Sequence, residues 1–376
     1  MTEHTIDWSA RLPELLADIE ELVTCESPTS DIAAGLRCAE LVDALGARLL
    51  GHKAERIADA AGRVHLRWRF GAGDRVLILG HYDTVWPIGS LATHPFAVTG
   101  TGDGVLTGPG CFDMKTGLVQ LFHAAAAQDR LDGLTILVTG DEETGSAGSQ
   151  ALIEAEARRV RAALVLEASE GGALKSARKG VATYDVEIGG RASHAGLQPH
   201  LGVNTTIELA HQVLAIAAVA DASAGTTVTP TVAASGTTRN TVPDAARLLV
   251  DVRVATAAEQ ERVDAGLRAL TPVLPQASVR VKDGPRRPPL PESASAALLA
   301  RARRLWAELG HGELGAVAVG GGSDGNLTAG VGTPTLDGLG AAGGGAHADD
   351  EHVLVGEIPR RTALVTALVA ELLGEE

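Results

Sequence analysis

Cysteine is scarce in this chain, with only Cys25, Cys38 and Cys111 among 376 residues. The odd number and the lack of metal-finger spacing give no support for a disulfide framework or a thiolate zinc site. A reducing cytoplasm fits this composition, and we expect the protein to reside there. The first residues lack the basic start and apolar stretch of a secretory signal. No apolar run approaches the roughly 18 residues that span a bilayer, so we expect no membrane partner.

Positive charge and aromatic side chains are also in short supply. Lys and Arg number 32 against 47 Asp and Glu, which gives a formal net charge of −15 and argues against nucleic acid as a partner. Aromatic residues make up 3% of the chain, so aliphatic side chains must fill the core. A chain of 376 residues exceeds what one core comfortably fills, which predicts two domains.

Short apolar runs alternate with helical periodicity in the first part of the chain, which predicts an α/β domain with helices on both faces of a mixed sheet. The predicted helices are Leu12–Leu22, Arg37–Leu50, Lys115–Ala127 and Ser149–Ala157. The predicted strands are Arg63–Phe70, Arg75–Leu79, Leu134–Val138 and Ala163–Leu166.

The pattern changes near Gly180 to the order βαββαβ, which is typical of a ferredoxin-like α+β domain. Its predicted elements are Val181–Ile188, Asn204–Ala217, Thr226–Ala233, Arg247–Val254, Ala257–Leu270 and Ser278–Lys282. A proline-rich linker follows, then helices at Ser293–Leu309 and Glu357–Leu373 with a strand near Pro334–Leu336. We therefore expect residues 180–290 to be inserted in a discontinuous domain of residues 1–179 and 291–376.

Acidic and imidazole side chains recur at the ends of apolar runs. They are His81 in VLILGHYDTV, Asp113 in GPGCFDMKTG, Glu142 and Glu143 in ILVTGDEETGS, Glu167 in ALVLEAS, and His347 in GGAHADDEH. Ligands bind outside the carboxyl ends of parallel strands, so we expect these side chains to share one crevice. Carboxylates so close together repel each other unless divalent cations bind them. The pattern favours a metal-dependent hydrolase.

Each of these signals has a plainer interpretation when it is taken alone. Asp83 can accept the second ring N–H of a metal-bound His81, or it can merely cap a turn. Asp113 precedes a helix and can be an ordinary N-cap. Glu142 and Glu143 can divide proton acceptance and metal binding between them, or they can form a solvated acidic loop. The joint occurrence favours the functional interpretation.

The motifs H-Y-D-T-V, G-P-G-x-x-D-M-K-x-G, D-E-E-x-G-S, L-x-L-E, G-R-A-S-H-A-G and G-x-x-A-H occur in this order. From about His81 to about Glu351 the chain resembles the di-zinc metallopeptidases related to glutamate carboxypeptidase, acetylornithine deacetylase and succinyl-diaminopimelate desuccinylase. The resemblance implies two zinc ions bridged by Asp113, with His81 and Glu167 completing one site, Glu143 and His347 the other, and Glu142 as general base. Cobalt or manganese would accept the same ligands.

The same resemblance implies roles outside the metal ligands. It implies a cis peptide after Asp113, an inserted domain that forms a homodimer, and a His194 that stabilises the oxyanion in the partner subunit's site. It implies that Arg253 binds the substrate's terminal carboxylate and that Asn240 lies near the scissile bond. From the residues alone, His194 is a turn histidine, and a salt bridge or turn cap is open for Arg253 and Asn240.

The glycine-rich stretch GGGSDGN lacks the pattern of a phosphate-binding loop. We expect its backbone, at Gly322 and Ser323, to pass close to a substrate carboxylate.

The expected reaction is hydrolysis of the amide bond between an acyl or peptidyl group and a C-terminal amino acid, by metal-activated water. The expected substrates are small N-acyl amino acids or peptides. Glutamate is favoured as the leaving group, and a deacylase or dipeptidase of other specificity stays open, because spacing does not show which cations face the pocket. The candidate cations are Lys175, Arg178, Lys179, Arg286 and Arg287. An amino-acid-binding dimer without activity is the alternative of another class.

Overall fold

A computed structural model of the chain describes residues 6–100 and 102–375. Within these residues nine α-helices are present. They are α1 (Leu12–Val23), α2 (Ile32–Leu50), α3 (Thr116–Ala126), α4 (Gln150–Ala157), α5 (Thr205–Ala217), α6 (Ala257–Arg268), α7 (Glu292–Glu308), α8 (Asp324–Gly330) and α9 (Glu357–Gly374). None of the helices in this described part has the length and apolar character needed to cross a bilayer.

The strands of the described residues belong to five small or medium sheets. They are β1 (Glu55–Ala58), β2 (Val64–Arg69), β3 (Val76–His81), β4 (Ala97–Val98), β5 (Val105–Thr107), β6 (Leu134–Thr139), β7 (Ala162–Val165), β8 (Leu174–Arg178), β9 (Gly180–Gly189), β10 (Ser193–His194), β11 (Thr227–Ser235), β12 (Thr241–Val242), β13 (Ala245–Val254), β14 (Ser278–Arg287), β15 (Ala316–Val319), β16 (Thr335–Leu336), β17 (Gly343–Gly344) and β18 (His352–Leu354).

The described residues form two compact units. Unit 1 comprises Met1–Ala177, Leu290–Val319 and Ser323–Glu376, and unit 2 comprises Arg178–Pro289 and Gly320–Gly322. All four tryptophans and all four phenylalanines of the sequence belong to unit 1, and Tyr184 is the one Trp, Tyr or Phe of unit 2.

The central sheet of unit 1 has the strand order β1-β2-β6-β3-β7-β16. Strands β6, β3, β7 and β16 run parallel, whereas β2 pairs antiparallel with β6 and β1 antiparallel with β2. The parallel strands are buried throughout, as expected for strands covered on both faces. The sheet is therefore mixed, as the sequence predicted.

Alternate residues of β3 enter two separate cores, because successive side chains of a strand point to opposite faces. Val76 and Ile78 pack in a large cluster with residues of α1, α2, α3, α7 and α9. Leu77 and Leu79 pack in a smaller cluster with Ile153 of α4 and with α8. The prediction of helices on both faces of the sheet is confirmed.

Unit 2 has the element order β9, α5, β11, β13, α6, β14, with the short strands β10 and β12 interposed. Its four long strands form an antiparallel sheet in the order β11-β13-β9-β14. Every second residue of β9 is buried, and Tyr184 of that strand shares one core with Leu209 of α5 and Val263 of α6. The βαββαβ order predicted from the sequence is present, and a dimerisation role for this region stays a prediction.

Several boundaries differ from the sequence predictions for local reasons. Helix α2 begins five residues before the predicted Arg37, because the Asp31 side chain accepts the Ala34 N–H and caps the helix there. Part of GGGSDGN begins helix α8, which periodicity did not indicate because the helix has seven residues. Ser323 caps α8 in a capping box with Asn326.

Candidate metal centre

Three adjacent strands of the central sheet carry the acidic and imidazole side chains at their carboxyl ends. His81 is the last residue of β3, Glu142 and Glu143 follow β6, and Glu167 follows β7. In the sheet β3 lies between β6 and β7, and the three strands are parallel. Their ends therefore meet at one edge, which is where α/β proteins bind ligands.

Asp113 reaches this edge from a single π-type turn, Cys111–Lys115, that precedes helix α3. The Asp113–Met114 peptide is cis, as the resemblance implied. Gly110 enters the turn with φ of 70°, and a Cβ there would lie 2.4 Å from Thr84 Cγ2. The first turn of α3 also approaches the end of β7 closely, since a Cβ on Gly117 would lie 2.1 Å from the Leu166 carbonyl oxygen. Small residues thus bring Asp113 to the strand ends.

The Asp113 carboxylate stands between two imidazoles. His81 Nε2 lies 3.3 Å from Asp113 Oδ1 and 3.4 Å from Glu167 Oε1. His347 Nε2 lies 3.4 Å from Asp113 Oδ2 and 3.1 Å from Glu143 Oε2. The five side chains therefore form two groups of three that share Asp113.

Three of these distances, at 3.3–3.4 Å, are longer than ordinary hydrogen bonds and suit ligands of a metal ion better, whereas the 3.1 Å between His347 Nε2 and Glu143 Oε2 suits either. Two atoms bound tetrahedrally to one zinc ion at about 2.0–2.2 Å lie roughly 3.3–3.6 Å apart. His81 Nε2, Asp113 Oδ1 and Glu143 Oε1 are buried and have no hydrogen-bond partner in the described chain. Such orphaned polar atoms are costly in a folded protein unless a ligand satisfies them. The residues present therefore fit a divalent cation in each group.

The electrostatics of the cluster point the same way. Burial alone would lower the pKa of His81, but the carboxylates of Asp113, Asp83 and Glu167 raise that pKa well above its ordinary value. The carboxylates of Asp113 and Glu143 raise the pKa of His347 to about 10. Burial and the charge of Asp113 raise the pKa of Glu143. Negative charge in excess thus attracts protons to this cluster, as it would attract a cation.

One half of the cluster is more accessible than the other. The His81 side chain is 2% exposed, whereas the His347 side chain is 49% exposed. His347 lies in the loop between β17 and β18 and has a positive φ of 63°. Solvent, and hence a substrate, can approach from the His347 side.

Glu142 lies close to His81 and Glu167. Ligating atoms of His81, Glu142 and Glu167 lie within 4.8 Å of one another, as do those of His81, Asp113 and Glu143. Glu142 is buried next to the predicted ligands His81 and Glu167. This position is compatible with the predicted role of general base.

Asp83 organises both His81 and the turn after β6. His81 Nδ1 lies 3.0 Å from the Asp83 carbonyl oxygen and 3.3 Å from its carboxylate Oδ1. The two carboxylate oxygens also accept the backbone N–H groups of Glu142 and Glu143, each at 3.2 Å. The predicted contact between Asp83 and the His81 ring is present, shared with the backbone, and Asp83 additionally fixes the acidic turn.

Asp59, His65 and Asp141 form a third group, whose potential ligand atoms also lie within 4.8 Å of one another. The carboxylates of this group already accept hydrogen bonds from other residues of the chain. Asp59 Oδ1 accepts the N–H groups of Ala61 and Arg63, and the Asp141 carboxylate accepts N–H and O–H groups of Ser149. We interpret this group as turn and helix-start capping.

His194 belongs to unit 2 and lies in the short strand β10, which pairs with β12. Its Nδ1 accepts the N–H groups of Gly196 and Leu197, each at 3.1 Å, and the residue is exposed. Because Nδ1 is an acceptor, Nε2 carries the ring proton and is a donor. Asn240 lies beside this turn, where its carbonyl accepts the Ala195 N–H at 2.8 Å.

The remaining predicted substrate residues have partners within the chain. Arg253 Nε and Nη2 both donate to the Asp251 carboxylate at 2.9 Å, which is the salt bridge that the sequence left open. The Ser323 hydroxyl donates to Asp337 and accepts the Gly325 N–H, and Ser323 is fully buried. The Gly322 carbonyl lies 3.4 Å from Arg178 Nη1. For Ser323, contact with a substrate through the hydroxyl would require breaking its capping bonds.

Sequence reasoning missed Glu351. Its buried carboxylate accepts the backbone N–H groups of Gly110, Phe112 and Asp113 at 2.9–3.0 Å, and the indole N–H of Trp86 at 2.5 Å. The signal that could have found it is a glutamate at the end of the acidic run after His347, one residue before the apolar segment Val353–Val355.

Comparison with known proteins was made by sequence and by fold. The model of the family described as peptidase family M20/M25/M40 matches residues 77–371. Carboxypeptidase G2 of Pseudomonas sp. strain RS-16 is 32% identical over 383 aligned residues, covering 96% of this chain and 89% of that protein. Succinyl-diaminopimelate desuccinylase of Paracoccus denitrificans is 33% identical over 274 residues, covering 66% of this chain and 69% of that protein.

Solved structures resemble the fold over nearly the whole chain. An M20 family metallo-carboxypeptidase from Sulfolobus solfataricus aligns with a TM-score of 0.75 at 16% identity, covering 96% of this chain and 99% of that one. The aminopeptidase PepT from Bacillus cereus aligns with a TM-score of 0.71 at 22% identity and the same coverage. At these identities the likeness concerns the fold.

Proposed function

The chain belongs to peptidase family M20/M25/M40, and from this premise we propose that it hydrolyses the amide bond joining an acyl or peptidyl group to a C-terminal amino acid. Its relatives are peptidases and deacylases, and the chain is therefore a metal-dependent hydrolase. The proposal adds the substrate class, the roles of individual residues and the number of ions.

The observation that carries the proposal is the sharing of Asp113 by two imidazoles. One carboxylate oxygen faces His81 and the other faces His347, and each imidazole has a further carboxylate beside it. We propose that Asp113 bridges two divalent ions, with His81 and Glu167 at one and His347 and Glu143 at the other. Nitrogen and oxygen ligands of this kind suit zinc, and cobalt or manganese would also be accepted.

Ions bound there would supply Lewis-acid polarisation of the scissile carbonyl and would lower the pKa of water. The chain itself supplies the proton acceptor. Glu142 is buried next to the ligands and its backbone is held by Asp83, so its carboxylate is positioned to take the proton of the attacking water and to deliver it to the leaving amine.

Residues of unit 2 complete the proposal on the strength of the family resemblance. We propose that the Nε2–H of His194 donates to the developing oxyanion in the site of a second copy, which its tautomer supports. We propose that Arg253 binds the free carboxylate of the substrate. The substrate carboxylate would either replace Asp251 as the partner of Arg253 or bind while that ion pair is kept. Asn240, Gly322 and Ser323 stay predictions for substrate contact, through the backbone in the case of Ser323.

We further propose a homodimer formed through unit 2, since one face of helix α5 lacks a partner in the monomer. Ile207 and Leu214 are 49% and 71% exposed and lie two turns apart on this helix. The one charged residue of α5 other than histidine, Glu208, is on its buried side. The adjacent strand β11 is an edge strand and exposes Val232. An exposed apolar helix face beside a free sheet edge is suited to a second copy of the same surface.

Glutamate is proposed as the preferred leaving amino acid, and other amino acids are the close alternative. Of the candidate cations, Lys179 donates to the Gly225 carbonyl at 2.6 Å and Arg286 pairs with Glu261. Lys175, Arg178 and Arg287 are partly or fully buried. These contacts do not select one cation for a glutamate side chain. A cytoplasmic location also stays a prediction.

The test is a panel of N-acetyl, N-succinyl and N-benzoyl amino acids and of dipeptides, each with glutamate, leucine or lysine at the carboxyl end. The purified protein is depleted of metal, reconstituted with zinc, cobalt or manganese, and followed by amine release, with bound metal measured in parallel. Hydrolysis that requires the metal and a free substrate carboxylate, strongest with glutamate, is expected. Substrates with an amidated carboxyl end are the matched control.

Other outcomes distinguish the alternatives. Faster release of leucine or lysine would assign a deacylase or dipeptidase of different specificity. Full metal occupancy without release of any amine, together with saturable binding of an amino acid, would overturn the enzymatic proposal in favour of a catalytically silent binding dimer.

A further inference from the structure

The buried carboxylate of Glu351 is surrounded by hydrogen-bond donors from another part of the chain. Oε1 accepts the N–H groups of Phe112 and Asp113, and Oε2 accepts the N–H of Gly110 and the indole N–H of Trp86. Glu351 is 4% exposed. Two of the four donors, Phe112 and Asp113, belong to the turn Cys111–Lys115, and a third, Gly110, is the residue that precedes it.

This turn needs an acceptor of that kind. Gly110 has positive φ, and Asp113 departs from helical geometry with φ of −116° and ψ of 95°. Backbone N–H groups that converge in such a turn form a concave site for an anion, and burial makes an unpaired N–H costly. The Glu351 carboxylate fills this site from within the chain.

Glu351 also belongs to the loop that carries His347. The Ala348 N–H donates to the Gly345 carbonyl and the Glu351 N–H to the Ala348 carbonyl, so a compact pair of turns joins His347 to Glu351. Strand β18 begins at the next residue, His352. One side chain therefore ties the backbone of Asp113 to the loop of His347, and the side chains of these two residues lie 3.4 Å apart.

We propose that Glu351 is a positioning residue that holds the Asp113 turn and the His347 loop at the separation required to share a cation. The proposal rests on the metal-binding part of the proposed function. Residues that orient metal ligands typically change metal affinity by about 10–100-fold when they are replaced. In this proposal Glu351 affects metal affinity through the backbone of Asp113 and through the loop of His347. It does not itself touch the substrate.

The test uses the full-length chain and the substitution Glu351→Gln, which keeps the shape of the side chain. An amide offers one carbonyl oxygen, so in either orientation its NH₂ group faces donors that the carboxylate accepted. Zinc affinity is measured by competition with a chromophoric chelator, and the absorption spectrum of the cobalt-loaded protein reports ligand geometry. Thermal unfolding of the metal-free protein reports folding separately. We expect zinc affinity to fall by about 10–100-fold and the cobalt spectrum to change, with the metal-free protein still folded.

Three further variants separate positioning from general stability. Glu208→Gln is the matched control, because Glu208 is a buried carboxylate of unit 2 that accepts the N–H groups of Val273 and Leu274. It should affect unfolding without altering metal affinity. Trp86→Phe removes the indole donor alone and should leave zinc affinity near that of the unmodified protein. Glu351→Asp keeps the charge but shortens the reach, and should give an intermediate loss.

The outcomes are decisive without any activity measurement. Loss of zinc affinity in Glu351→Gln but not in Glu208→Gln supports the proposal. Unchanged zinc affinity and cobalt spectrum in Glu351→Gln, with lower thermal stability alone, would overturn it and leave Glu351 a structural residue. If Glu351→Gln does not fold, an affinity of Glu351→Asp equal to that of the unmodified chain would overturn it equally. Failure of the substrate panel would instead reject the proposed function and leave these measurements standing.

Discussion

At the scale of single residues, the proposed roles of Glu142 as general base and Glu143 as metal ligand are compatible with where each side chain lies. Glu143 Oε2 is 3.1 Å from His347 Nε2, whereas ligating atoms of Glu142 lie within 4.8 Å of those of His81 and Glu167. Both backbones are fixed by the same carboxylate, that of Asp83. Neighbouring residues on one turn can therefore be assigned different tasks, one a ligand and the other a base.

This assignment gives a prediction for paired substitutions. Glu142→Gln should keep full metal occupancy and lower kcat by roughly 10²–10⁴-fold, which is the typical contribution of general acid–base catalysis. His347→Ala should lower metal occupancy, because it removes a ligand. Metal content by atomic emission and kcat by amine release are measured on the same preparations. Equal metal loss in both variants would contradict the assignment of Glu142 as base.

The sequence predicted the site residues that end apolar runs, because a strand end locates a side chain without further information. His81, Glu142, Glu143 and Glu167 are of this kind. Asp113 and His347 lie in irregular segments, where the residue pattern placed them in the shared crevice but their specific roles came from the resemblance. Glu351 was missed because its function depends on three backbone N–H groups some 240 residues earlier, a contact that no local pattern encodes.

At the scale of elements, strands and long helices were predictable from periodicity, and short or irregular pieces were not. The alternating burial of β9 is visible in its sequence, as is the largely apolar composition of β6, whose six residues are all buried. Helix α8 depends on the capping box of Ser323 and Asn326 and on a hydrogen bond from Ser323 to Asp337. The hydrogen bond to Asp337 is a tertiary interaction that the local sequence does not reveal. The glycine content of this segment is typical of a loop, so the helix was not predicted.

The exposed face of α5 gives a prediction at this scale. If that face joins two copies, Leu214→Glu should place a charge in an apolar interface and shift the protein from dimer to monomer. Molar mass by light scattering coupled to size-exclusion chromatography checks the result. Ile32→Glu, at an exposed apolar position that begins α2 in unit 1, is the control and should leave the mass unchanged.

Two results would count against this interface. A monomeric mass for the unmodified chain at micromolar concentration would remove the dimer altogether. A dimer that persists in Leu214→Glu would place the interface elsewhere on the molecule.

At the scale of the whole molecule, a polar cluster of Asp18, His123 and Arg48 links three helices of unit 1, with Asp18 and His123 buried and Arg48 half-exposed. Asp18 of α1 accepts a hydrogen bond from His123 Nε2 of α3 at 2.7 Å and another from Arg48 of α2. Burial alone would raise the pKa of Asp18, but His123 and Arg48 hold it below its ordinary value of 3.8. A carboxyl group whose pKa is lowered by folding stabilises the folded state above its unfolded pKa, and that stability is lost as the pH falls through the folded pKa.

Asp18→Asn should therefore lower the free energy of unfolding near neutral pH by about 1.5–3 kcal/mol, the range for hydrogen bonds to charged groups. The difference from the unmodified chain should shrink as the pH falls below 3.8, the ordinary pKa of aspartate. Denaturant titrations of both metal-free proteins across this range test it, and the titration of the metal ligands, common to both, cancels. A difference that stays constant into acid would show that Asp18 acts through packing and not through its charge.

The uneven distribution of aromatic residues has a practical consequence. Because every tryptophan lies in unit 1 and none in unit 2, indole emission reports on unit 1 alone. Circular dichroism in the far ultraviolet follows the helices and strands of both units. The chain thus carries an intrinsic fluorescent label in unit 1 only. Replacing Tyr184 with tryptophan would add a label to unit 2, so that the refolding of each unit could be followed.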